Sequence, residues 1–196
     1  MHLDLLVSLK TVDLVCETAA MALRDTLSWG DRLLGLRRRD LWRFEGDAES
    51  ESIFREKLQR EVARTGVFVN TTKHQAVFQD GLLLGSGEPL NSDTLLAPSQ
   101  LEGEGHWKAR IWITDEGGEQ ERLRKPGSER IHPARLTSLK KGVLWEIRIR
   151  CESREQALSA LVGMARSRSR ERGLFYNPHY QEARLFSLKK EGSSDA

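Results

Sequence analysis

The feature that most constrains this chain is that it repeats itself. Residues 34–44 read LGLRRRDLWRF and residues 137–147 read TSLKKGVLWEI, each with a Leu, two basic residues, a two-residue step, Leu-Trp, a charge and an apolar residue. Trp42 and Trp145 lie 103 positions apart. The alternating run Leu3, Leu5, Val7, Leu9 matches Trp107, Ala109, Ile111, Ile113 at an offset of 104, and Phe68-Val69-Asn70-Thr71 matches Phe175-Tyr176-Asn177-Pro178 at 107. Three collinear matches make a tandem repeat the starting point, because a missed repeat misreads the whole fold.

Length agrees. A chain of 196 residues is one large domain or two small ones at roughly 100–200 residues per domain. The expected division is a first repeat over 1–80, a linker over 81–105, a second repeat over 106–188 and a tail over 189–196. The linker carries Gly81, Gly85, Gly87, Gly103, Gly105, Pro89 and Pro98, residues that interrupt helices and strands. Its runs Leu82-Leu83-Leu84 and Leu95-Leu96 are expected to lie against a surface.

Each half reads as strand, helix, hairpin, helix, strand. The opening strands follow from period-two alternation. Thr11 and Asp13 are candidate caps for a helix carrying Val15, Ala19, Ala22, Leu23 and Thr26, ended by Trp29-Gly30-Asp31. Arg38-Arg39-Asp40 and Lys140-Lys141-Gly142 stand between apolar runs and are read as equivalent hairpin turns. Trp42 and Phe44, and likewise Val143, Trp145, Ile147 and Ile149, share faces expected to be core. Second helices are expected over about 52–64, with Phe54, Leu58 and Val62 in a stripe, and over about 153–172. Final strands are expected at 76–78 and 183–188. In the second half, residues 115–135 contain Gly117-Gly118, Pro126-Gly127 and Pro133, so a loop is expected there, with at most a short helix near 134–139. The fold class is therefore α+β: two ferredoxin-like βαββαβ repeats in tandem, their antiparallel sheets covered by helices on one face.

Little in the chain points to chemistry of its own. No phosphate loop or dinucleotide fingerprint is present, and the Gly81, Gly85, Gly87 cluster lacks the Lys-Ser or Lys-Thr that would complete one. The five histidines have no helical metal-pair spacing. His74 and His179, each a few residues after an Asn, are expected to be turn or strand-edge polar groups. Cys16 and Cys151 are too few and too distant for a disulfide framework and read as small buried hydrophobes. No catalytic residue, metal site or cofactor is expected.

Charge is balanced, with 31 basic and 29 acidic side chains, so nucleic acid has no global electrostatic call on the chain. Local patches do exist: Arg37-Arg38-Arg39 and Lys140-Lys141 at the hairpins, and Arg166, Arg168, Arg170 and Arg172 at the last helix. With Phe175, Tyr176 and Tyr180 nearby, the last cluster supports an RNA-binding alternative. The candidate partner or anion contacts are Lys10, Arg38, Arg39, Lys140 and Lys141, together with Asn70 and Asn177. No run approaches the ~20 apolar residues of a membrane span, and a cytoplasmic protein is expected.

The opening strand ending Val7-Ser8-Leu9-Lys10, the stretch LKKGVLWEIRI, and the passage from a helix through Phe175-Tyr176-Asn177-Pro178 to Phe186 resemble the PurS family, the small subunit of phosphoribosylformylglycinamidine synthase. The resemblance spans nearly the whole chain outside the linker. Departures are Thr11-Val12-Asp13-Leu14, where the family has Gly-Val-Leu-Asp-Pro, and Thr71 after Asn70. The resemblance implies a non-catalytic subunit bridging an ATP-dependent synthetase and a glutaminase in purine biosynthesis, and assembly as a homo-oligomer such as a dimer. The competing reading is an RNA- or small-ligand-binding regulatory module of the same architecture, since a fold alone does not choose a function.

Overall fold

A computed structural model describes residues 1–47, 50–80, 87–90, 104–115, 136–167 and 173–192. In chain order the elements are β1 His2–Leu9, α1 Leu14–Met21 running into a π-helical turn Ala22–Thr26, β2 Leu33–Gly46, α2 Glu51–Thr65, β3 His74–Gln79, β4 Glu88–Pro89, β5 His106–Asp115, β6 Leu136–Arg150, α3 Arg154–Ala165 and β7 Gln181–Lys190. The class is α+β, and the strands form one seven-stranded antiparallel sheet in the order β3-β1-β2-β6-β5-β7-β4. The first half contributes β3-β1-β2 and the second β7-β5-β6, the same internal order with β2 and β6 as neighbours.

Both expected hairpins are absent. Arg38-Arg39-Asp40 lies inside the 14-residue β2 and Lys140-Lys141-Gly142 inside the 15-residue β6, each an unbroken strand. A tight two-residue turn needs positive φ at its centre. The first site has no glycine to supply it, and Gly142 is not among the residues with positive φ. The short helix allowed near 134–139 is also corrected, since β6 begins at Leu136 and Leu136 and Leu139 are used in core packing.

Residues 1–12, 39–82 and 114–143 form one compact unit, and 13–38, 83–113 and 144–196 form another. Each draws on both halves of the chain. The first holds β1, residues 39–46 of β2, α2, β3 and residues 136–143 of β6. The second holds α1, residues 33–38 of β2, β4, most of β5, residues 144–150 of β6, α3 and β7.

Capping explains where the helices begin. Asp13 accepts from Val15 N–H at 3.0 Å and Cys16 N–H at 3.1 Å, Ser50 from Ile53 N–H at 3.3 Å, and Ser153 from Gln156 N–H at 3.3 Å. Gly66, at φ 62°, ends α2 in the left-handed conformation that glycine adopts at least cost. Helix α3 stops at Ala165, well before the expected 172, because Arg166 turns to extended backbone and bridges to Tyr176. Residues 168–172 lie outside the described residues, as do the runs 82–84 and 95–96.

In the first unit the core is Leu3, Leu5 and Val7 of β1, Phe44 of β2, Phe54, Leu58 and Val62 of α2, with Phe68 and Leu139. Burying each such side chain contributes about 1.5–3 kcal/mol. Trp42 and Phe78 pack against this cluster from its rim. On the other sheet face Asp4, fully buried, faces Arg43 across the β1–β2 register and receives its guanidinium at 2.9 and 3.2 Å. Two charged groups in that position are stable only as a pair.

In the second unit Leu23, Trp29, Ala109, Ile111, Ile147, Ile149, Leu161 and Met164 are buried. Gly163 sits mid-helix because a Cβ there would stand 3.1 Å from the Trp29 ring. Of the residues read at helical spacing in the first helix, Ala19 and Leu23 are buried and Val15 is exposed. Cys16, Ala19 and Ala20 are the buried residues of α1, while Leu14, Val15 and Met21 are exposed. Part of the expected linker does lie against the sheet: Leu90 is buried, donates from its N–H to Ala183 O at 2.9 Å and accepts from Tyr176 O–H at 3.1 Å.

Candidate functional site

The seven candidate residues do not converge on one place. Asn70 and Asn177 do the same structural job in the two halves. Asn70 Oδ1 accepts from Thr72 N–H at 3.1 Å, its backbone O accepts from His74 N–H at 2.7 Å, and its N–H donates to His74 Nδ1 at 3.3 Å. Asn177 Oδ1 accepts from His179 N–H at 3.0 Å, its backbone O from Gln181 N–H at 2.9 Å, and its N–H donates to Gln181 Oε1 at 3.0 Å. Asparagine suits the position because its short amide mimics a backbone turn. These turns launch β3 and β7. The true counterpart of His74 is thus Gln181, four positions past the Asn, and His179 corresponds to Thr72.

The basic candidates are held by their own neighbours. Lys10 Nζ donates to Thr71 O at 2.6 Å, tying the end of β1 to the Asn70 turn. Arg38 Nη1 stands 3.3 Å from Asp13 Oδ2, so the carboxylate that caps α1 also neutralises this guanidinium. Lys141 Nζ lies 3.6 Å from Asp40 Oδ2 and 5.0 Å above the Trp42 ring. Arg39 and Lys140 are engaged as well. Cations matched to carboxylates and an aromatic face make a strand-pairing network, and the field they offer a diffusing polyanion is correspondingly reduced.

The thiols are shielded. Cys151 is buried and its pKa is pushed up to about 11 by desolvation, against which Arg32 acts weakly. Its backbone is pinned on both sides, N–H to Gly105 O at 2.8 Å and O to Trp107 Nε1–H at 2.9 Å. Burial also raises the Cys16 thiol, with Asp13 and Glu17 adding to the shift. Thiols kept protonated in this way are poor nucleophiles and metal ligands at neutral pH. Among the described residues no group of three His, Cys, Asp or Glu side chains is placed to hold a metal ion. No helix among them is long and apolar enough to cross a membrane.

Apolar side chains do lie exposed on two described elements. Strand β3 ends the sheet, with Val77 61% exposed. Leu14, Val15 and Met21 are exposed on α1. Sequence reasoning missed both. Leu14 and Met21, seven apart, gave a second apolar stripe in the sequence, and the small Ala19 and Ala20 were the better guide to the buried face.

No protein-family model matches the chain, and neither a curated protein nor a solved structure does.

Proposed function

We propose that this chain is a non-catalytic assembly subunit of PurS type, bridging the ATP-dependent synthetase and the glutaminase of phosphoribosylformylglycinamidine synthase. One observation carries the reading: each compact unit combines elements of both halves. In the second unit the strand order β7, β5, residues 144–150, residues 33–38 is the 4-1-3-2 order of a ferredoxin-like βαββαβ unit. Its first helix is then α1 and its second α3. In the first unit β3, β1, residues 39–46 and residues 136–143 repeat that order. On this reading the two expected hairpins have opened: the first half lends α1 and residues 33–38 to the second unit, and the second half lends residues 136–143 to the first. Such exchange is a common route by which identical units pair, and it fuses two small subunits into one obligate pseudo-dimer.

A pseudo-dimer of a bridging subunit suits a complex in which two different large partners must be held together. On this proposal the chain supplies strand edges and exposed apolar side chains, and the partners supply ATP, the ribotide and the glutaminase thiol. The basic residues of β2 and β6 are candidate rim contacts only. The test is co-purification of the tagged chain with the synthetase and glutaminase subunits of the same organism. A complex containing all three supports the proposal, and a chain that retains neither enzyme rejects it.

A further inference from the structure

The two ends of the sheet are built differently. At one end β4 is two residues long and contains Pro89, which blunts an edge by removing a donor. At the other end β3 reads HQAVFQ: six residues with no proline, Lys, Arg, Asp or Glu. Its inner side pairs with β1 from Leu9↔His74 to Asp4↔Gln79, and among the described residues no strand lies on its outer side. An open, uncharged edge of this kind is a template for another strand.

We infer that the outer edge of β3 pairs antiparallel with β3 of a second copy of this chain, in the register that sets Val77 opposite Val77. Two-fold symmetry allows only registers in which a residue faces its own copy, since opposed side chains share a sheet face. Centring on Val77 brings together the strand's one exposed large apolar side chain with itself, Gln75 with Gln79, and Ala76 with Phe78. It also brings His74 to Asp80. His74 Nδ1 accepts from Asn70 N–H at 3.3 Å, so Nε2 carries the ring proton and is free to donate to that carboxylate. Asp80 already pairs with Arg55, and with two lone-pair-bearing oxygens it can accept from both. Centring on Ala76 instead would oppose Gln75 to Val77 and His74 to Phe78, mismatching polar and apolar groups at both steps. The Val77 register is therefore the complementary one, and it stands independently of the amidotransferase reading.

Light scattering on the purified chain tests it. The wild type is expected at twice the mass of one chain. Val77→Lys is expected to halve that mass while the chain keeps its circular dichroism and a cooperative melt, because the side chain is exposed within one copy, and to remove the concentration dependence that association gives the wild-type melting temperature. Val77→Cys is expected to give an intermolecular disulfide on mild oxidation, since directly opposed Cβ atoms lie about 4.5–5.5 Å apart, and Gln75→Cys is not. The buried Cys16 and Cys151 do not compete. A wild type that scatters as one chain, a dimer indifferent to Val77→Lys, or cross-linking from position 75 and not from 77 would overturn the assignment.

Discussion

Trp145 stacks on Phe175 with ring centroids 4.3 Å apart, at the place where, in the other half, Trp42 meets Phe68 edge to face at 5.0 Å. The two pairs are built from matching repeat positions, and both join the long strand to the segment entering the Asn turn. They differ in depth: Trp145 is buried at 5% exposure while Trp42 packs at the rim of its core. Trp145→Ala is expected to cost about 3–5 kcal/mol, the usual range for a buried aromatic. Trp42→Ala should cost less. Urea denaturation of both variants checks this, and equal costs would contradict it.

The Asn turns make a matched pair of predictions. Removing Asn70 or Asn177 by substitution with Ala takes away a side-chain acceptor from a backbone N–H, a loss comparable to deleting a helix cap at about 0.5–2 kcal/mol. Asp, which keeps that acceptor, should restore most of it. Thermal denaturation of the four variants should show the same ranking in each half.

Much of this was legible in the residues. The opening strands, the Asp13 cap of the first helix and the burial of both cysteines follow from periodicity, cap chemistry and composition. The hairpins did not. A Gly after two lysines looks like a turn locally, and only the pairing of long neighbouring strands decides that Gly142 stays extended. The candidate contacts failed for a related reason. Arg38 and Lys141 look unmatched in sequence because Asp13 is 25 residues from the first and Asp40 is 101 from the second.

Cleavage tests the exchanged architecture. A protease site placed within residues 91–103 separates the halves covalently, yet each compact unit needs segments from both. The two fragments are expected to co-elute in size exclusion with the circular dichroism of the intact chain. Fragments that part into two folded species would contradict the exchange.

The thiols give a pH prediction with a definite sign. An unfolded cysteine gives up its proton near 9.0, whereas folded Cys151 holds it to about 11. Between those values the unfolded chain is the form that ionises, so this contribution to stability, full below about 9, falls as pH climbs toward 11. Urea midpoints should decline across that window, and Cys151→Ala should flatten the decline. At neutral pH a thiol reagent should label neither cysteine until the chain unfolds.

Reconstitution of the amidation reaction bears most directly on the proposed bridging role. The synthetase and glutaminase subunits are mixed with and without this chain, and turnover is followed with glutamine or with free ammonia as the nitrogen source. The account predicts that the chain is required for the glutamine-dependent rate and leaves the ammonia-dependent rate unchanged. A glutamine-dependent rate that is the same in its absence would contradict it.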